Sequence, residues 1–329
     1  MITAKINVEI LRAEIKPLDL SQPYIPSAEE AAYLEFYGID FQQSLEHVEQ
    51  YFGHLPMIDL SRKAQRIACH YFKNINATRT CFIVHGYMDH TGLYDKLINY
   101  FLHRGCSVVM MDMPGHGLST GNPAVIDSFG DYNLALRHCI DFFHEKTVTP
   151  WHISGQSMGG AIVMDYLLSQ QEDAAAVFDK VLLLAPLVRP AGWLGVRLAH
   201  WVLKGLVNSI ERKFKSNSHD TVFFDFLENK DPLQAKRIPV QWVTAMLQWE
   251  KRFQQLSWSD MELLVIQGEG DATVDWRFNL NCIRKKFPHS KQFRIQDARH
   301  HLVCEDDYYF ERVTQAADIY FDRRRDVRD

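Results

Sequence analysis

From about residue 65 onward, short apolar runs alternate with longer segments whose apolar residues recur at helical period. The runs span 67–72, 80–84, 107–112, 151–154, 181–185, 263–267 and 292–295, and the amphipathic stretches between them include 92–103, 128–144, 158–169 and 276–286. Several runs, such as 81–84 and 181–185, are apolar at every position, the mark of strands buried on both faces. Alternation of this kind predicts an α/β fold with a mostly parallel sheet flanked by helices.

The interval 188–258 breaks the pattern: it offers no convincing strand but has apolar helical repeats over 193–210, 223–227 and 239–253. It is too long for a plain connection and predicts an inserted helical cap. The expected organisation is an N-terminal arm over 1–60 packing on the body, a core made of 61–187 and 259–329, and the cap at 188–258. Within the arm, Pro17, Pro23 and Pro26 predict irregular chain, whereas 28–38 and 41–53 look helical.

Composition narrows the function classes. With 36 basic and 41 acidic residues, net charge −5, the 329-residue chain lacks the basic excess expected of a nucleic-acid binder. The six cysteines form no Cys-x-x-Cys pair and several sit in apolar runs, which predicts buried thiols in a reducing compartment. Lys5, Glu9, Arg12 and Glu14 interrupt the N-terminus, and no run approaches the length of a membrane span. The expectation is a cytoplasmic protein without a secretory leader or transmembrane segment. The histidines show no zinc-ligand spacing, and neither a dinucleotide nor a phosphate-loop glycine motif occurs, so neither metal nor cofactor is expected.

The sharpest chemical signal is Gly155-Gln156-Ser157-Met158-Gly159, placed after one apolar run and before a helical one. That is the setting of a nucleophile elbow, whose tight turn exposes the serine hydroxyl and demands small residues two positions either side. A serine hydroxyl needs a histidine base oriented by a carboxylate, and in this architecture the chain order is serine, acid, histidine. Asp271 follows the run 263–267, and the pair His300, His301 follows the run 292–295. All lie where loops leave the carboxyl ends of strands, on one edge of the sheet. Asp275 also follows the first of these strands but suits the cap of the next helix. Spacing alone does not separate His300 from His301. The backbone N–H of Met158 is one expected oxyanion donor, and that of Tyr87, in the loop His85-Gly86-Tyr87-Met88-Asp89-His90, is the other. In this reading His85 and Gly86 support that loop. The glycine-rich turn from Asp112 to Gly117 reads as structural.

Across 67–320 the chain resembles the monoacylglycerol lipase and lysophospholipase branch of the α/β hydrolases, often grouped with serine aminopeptidase-like hydrolases. The resemblance rests on His85-Gly86 with Asp89-His90, on residues 112–119 and 155–160, on Asp271, and on Ala298-Arg299-His300. It implies an α/β-hydrolase fold and favours His300 as the triad histidine. The family commonly has glutamate at the position of Asp89 and histidine at that of Gln156. It further implies a cap that selects the acyl chain of a lipid-like ester, such as a monoacylglycerol or lysophospholipid. A peptidase, amidase or acyltransferase on the same triad, or a non-catalytic binding module, are the competing readings. In the cap, Trp193, Leu194, Leu198, Trp201, Val202 and Leu206 alternate with Arg197, Lys204 and Arg212. Such a face is able to make transient contact with a lipid surface. The preferred expectation is that it packs on the body and lines the pocket.

Overall fold

A computed structural model describes residues 6–61, 63–169 and 177–322 of the chain; residues 1–5 of the expected arm and 323–329 of the expected core lie outside them. Eight strands form one sheet: β1 (Val48–His54), β2 (Ala68–Asn74), β3 (Arg79–Val84), β4 (Cys106–Met111), β5 (Trp151–Gln156), β6 (Phe178–Leu184), β7 (Leu264–Gly268) and β8 (Lys291–Ile295). Their order is 1-2-4-3-5-6-7-8. β1 and β2 run antiparallel to their neighbours, and all other pairs are parallel.

The longer helices are α1 (Val8–Glu14), α2 (Ala28–Tyr37), α3 (Asp95–His103), α4 (Phe129–Phe143), α5 (Met158–Ser169), α6 (Trp193–Leu203), α7 (Val240–Gln255), α8 (Trp276–Lys286) and α9 (Asp307–Asp322). Strand side chains alternate between two cores, which is why the central strands are apolar throughout. Phe82, Val84 and Val109 point to one face, packed with residues of α4, α5, α7 and α8. Cys81, Ile83 and Val108 point to the other, packed with residues of α1, α2, α3 and α9. The expected mostly parallel sheet with helices on both faces is present.

Three expectations need correction. The stretch 41–53 is not a helix: after a single turn at Phe41–Ser44 it becomes edge strand β1. Its pairing with β2 and the close approach of the arm override any helical pattern, since a Cβ on Gly53 would lie 2.6 Å from the Leu18 Cα. The interval 188–258 does contain strand: Ser209–Glu211 pairs antiparallel with Arg237–Pro239. Helix α6 ends at Leu203 rather than reaching 210, because the chain turns at Gly205, whose φ of +88° is open to glycine. The helix over 28–38 is present as α2, closed by a Ser27–Glu30 capping box and by Gly38. All six cysteines are free and buried. Among the described residues, no helix is long and apolar enough to cross a membrane.

Candidate active site

Ser157 sits between β5 and α5 with φ of +53°, a left-handed conformation that a serine adopts only under constraint. Its N–H donates to the Leu184 carbonyl at 2.8 Å, and its carbonyl accepts from Leu187 at 3.0 Å, so both neighbouring segments hold the turn. The flanking glycines are steric requirements. A Cβ on Gly155 would meet the Gly159 carbonyl at 2.7 Å, and one on Gly159 would collide with the Val84 carbonyl.

The structure brings Ser157, His300 and Asp271 together. His300 Nε2 lies 2.9 Å from Ser157 Oγ, and its Nδ1 lies 2.7 Å from Asp271 Oδ2. Gln156 Nε2 donates to the His300 carbonyl at 2.9 Å. The other oxygen of Asp271 accepts the N–H groups of Thr273 and Val274 at 2.8 and 3.1 Å, and Gln267 donates to Oδ2 at 3.0 Å. Burial by itself would raise the Asp271 pKa. The opposing pull of His300 and of these N–H donors outweighs it and holds the carboxyl below its usual range. Asp275 does not join this group: it caps α8 by accepting from Phe278 and is held by Arg189.

His301, which spacing could not tell from His300, has a different partner. Its Nε2 lies 2.9 Å from Asp89 Oδ2, and its ring stacks on Phe223 with centroids 5.2 Å apart. The same Asp89 oxygen accepts from Tyr94 Oη at 2.9 Å, and that hydroxyl accepts the Gly86 N–H at 2.9 Å. One hydrogen-bonded chain thus joins the residue after His300 to the residue before Tyr87. Burial opposes the charge on Asp89, but His301, His85 and the Tyr94 hydroxyl overcome it and hold the carboxyl well below the ordinary range. His85 Nε2 accepts the Met113 N–H at 2.8 Å, so its Nδ1 carries the proton and donates to the Gly86 carbonyl at 2.7 Å. Burial lowers the His85 pKa, in keeping with that neutral form.

Gly86 and Tyr87 line the same cleft as Ser157, and the Tyr87 ring stacks on Trp242 of α7 at 3.6 Å. Met158 is the first residue of α5, where N–H groups have no acceptor within the helix. Asp112 is structural: its carboxylate accepts from Thr91 and from the Leu118 N–H.

The cleft measures about 620 Å³. Its apolar walls include Leu187, Val196, Leu203, Phe224, Leu227 and Met246. His90 anchors the adjoining loop by a buried 3.0 Å pair with Asp231, to which Tyr37 and Gln234 also donate. Burial disfavours a charge on His90, and the neighbouring carboxylate more than compensates, raising its pKa. Neither this pair nor Asp89–His301 was legible in the sequence, because only tertiary contact assigns partners to adjacent Asp-His and His-His residues.

The preferred expectation for α6 is overturned. Leu194, Leu198, Trp201, Val202 and Leu206 are exposed, Trp201 by 68%, and no residue of the helix is fully buried. Val196, Ala199, His200 and Leu203 line the cleft instead, and Trp193 and Val196 are the residues that pack on the body. Among the described residues, no group of three or more His, Cys, Asp or Glu side chains stands ready to hold a metal ion.

Comparison with known proteins places this geometry in a family. The family described as "Serine aminopeptidase, S33" matches residues 75–307. A monoglyceride lipase homolog of Monkeypox virus is 32% identical over 124 residues, 37% of this chain and 44% of the viral protein, so the match spans less than half of that relative. Mouse monoglyceride lipase is 24% identical over 254 residues, 73% of this chain and 80% of the mouse protein. A soluble variant of monoglyceride lipase from Saccharomyces cerevisiae, solved with a substrate analog, superposes with a TM-score of 0.68 at 17% identity, covering 81% of this chain and 94% of that one. The chain belongs to the serine aminopeptidase S33 family and has the α/β-hydrolase fold.

Proposed function

We propose that the protein hydrolyses lipid-like carboxylic esters, monoacylglycerols or lysophospholipids, through Ser157, His300 and Asp271. The observation that carries this reading is the unbroken Oγ–Nε2, Nδ1–Oδ2 chain at 2.9 and 2.7 Å, opening on an apolar cleft. Ser157 Oγ attacks the ester carbonyl carbon while His300 Nε2 takes its proton. The N–H groups of Tyr87 and Met158 hold the resulting oxyanion, an interaction worth about 10²- to 10³-fold in turnover per donor in such sites. The carbon–oxygen bond to the alcohol then breaks, and His300 delivers the proton to the departing oxygen. Water, deprotonated by His300, attacks the acyl-serine; the acid leaves and Ser157 regains its proton. Asp271 stays ionised throughout and keeps the imidazole in the tautomer that faces Ser157.

The insertion 188–258 serves as a cap whose apolar wall receives the acyl chain. An aminopeptidase reading finds less support. It needs a carboxylate to meet the substrate ammonium, and Asp89, the one acid among the described residues that line the cleft, already holds His301 and Tyr94 through Oδ2. The test is a chain-length profile of ester hydrolysis, run beside aminoacyl amides, with Ser157→Ala as blank. Turnover that rises from acetyl toward decanoyl esters and vanishes in the variant is expected. Preference for aminoacyl amides, or turnover that survives in the variant, would contradict the reading.

A further inference from the structure

We propose that Arg212, with Lys213 and Lys215, forms a subsite for an anionic group carried by the ester substrate; this rests on the ester-hydrolase reading above and narrows its substrate class. The three cations line the same cleft as Ser157 and His300. Asp89 is the one acidic residue among the described residues of the lining, and its Oδ2 is held by both His301 and Tyr94.

Arg212 is the centre of the argument because it is partly buried and lacks a counterion. No carboxylate forms an ion pair with it among the described residues. Its Nη1 donates to Gln234 Oε1 at 2.7 Å and to the Ala235 carbonyl at 3.3 Å, and its guanidinium lies over the Phe214 ring at 4.3 Å. Among the described residues Nε and Nη2 have no hydrogen-bond partner, and they lie side by side on the fork that grips carboxylate or phosphate oxygens in pairs. Burial lowers its pKa, and the acids that act on it from a distance are Asp89 and Asp231. Asp231 is committed to His90, Tyr37 and Gln234. A guanidinium half-removed from water, with every nearby acid engaged elsewhere, has its charge completed by an anion entering the cleft. The apolar walls beside it suit an acyl chain, so the ligand that satisfies both is an amphiphile with an ester between an alkyl chain and an anionic head.

The test compares three decanoyl esters below their micelle-forming concentrations: monodecanoylglycerol, the same ester with a terminal phosphate, and the same ester with a terminal succinate. Each is assayed with wild type, Arg212→Met, Arg212→Lys, Gln234→Leu and Ser157→Ala. The quantity read is the ratio of kcat/KM for each anionic ester to that for the neutral one. A wild-type ratio of about ten or more for at least one anionic ester is expected, as one charge-assisted contact provides. The phosphate and succinate arms show which anion the fork selects. Arg212→Met brings the ratio to about one, Arg212→Lys keeps part of it, and Gln234→Leu, which leaves the charge in place, retains it. A wild-type ratio near one, a ratio that survives Arg212→Met, or its loss in Gln234→Leu would overturn the proposal. Failure of the hydrolase reading would look different, as equal turnover of all three esters by wild type and Ser157→Ala.

Discussion

The rim that carries Ser157, Asp271 and His300 and the helix α6 that lines the same cleft are built on opposite rules. At the rim the three side chains are almost wholly buried and joined to one another by hydrogen bonds between separate loops, with Asp271 held by three further donors. Helix α6 has no fully buried residue, and it presents Leu198 and Trp201 outward while lining the cleft with Val196 and Leu203. The proposed proton transfer requires atoms fixed to a fraction of an ångström, which an over-determined rim supplies. Accommodation of an acyl chain requires volume and tolerance, and a loosely packed apolar helix provides both. On the proposed function, the two parts respond to substitution in different currencies, rate at the rim and selectivity at the 188–258 segment.

The contrast breaks most sharply at the rim. Replacing His300 with alanine is expected to lower kcat on a soluble ester on the order of 10⁴-fold or more, with Asp271→Asn costing a comparable factor. Steady-state assays check this, with circular dichroism to show that the fold persists. Asp89→Asn is expected to act through geometry rather than chemistry. Without the charge that orders His301, Tyr94 and the Gly86 N–H, kcat falls about 10- to 100-fold while KM moves little. A change confined to KM would place Asp89 in substrate binding instead.

Behind the rim, His70 sharpens the comparison, since burial there serves packing alone. Its ring stacks between Phe52 and Phe72, at 4.1 and 5.7 Å, with neither nitrogen hydrogen-bonded. Burial lowers its pKa from 6.5 to about 4. The unfolded chain therefore binds a proton near pH 6.5 that the folded protein refuses until about pH 4. The stability linked to His70 is complete above pH 6.5 and is lost as the pH falls toward 4. Urea unfolding at pH 7 and pH 5 should show His70→Phe losing about 2 kcal/mol less than wild type between the two. The smallest effect belongs to the cap surface: Leu198→Ser with Trp201→Ser should change unfolding free energy by no more than about 0.5 kcal/mol, because neither side chain packs against the body.

How much was legible follows the same divide. Strands β2 to β7 announced themselves because burial on both faces demands continuous apolar runs, and Val181, Leu182, Leu183 and Leu184 are all fully buried, whereas the edge strand β8 is exposed over most of its length. The meeting of Ser157 and Asp271 with one of the pair His300, His301 followed from strand ends that share one edge, and the family resemblance favoured His300. The edge strand β1 was hidden, since one face of an edge need not be apolar and Glu49 and Gln50 blur its alternation. Periodicity finds an amphipathic face on α6 without saying what covers it, so the exposure of Leu198 and Trp201 lay beyond it. Asp89–His301 and the unpaired Arg212 are tertiary facts with no local signature.

The most direct test of the central claim is covalent labelling of the intact protein by a fluorophosphonate, followed by mass spectrometry of its peptides. One phosphonyl group per chain, carried on Ser157 and lost in both Ser157→Ala and His300→Ala, is the predicted result. Stoichiometric labelling of another residue, or equal labelling of wild type and Ser157→Ala, would contradict the assignment of Ser157 as the nucleophile.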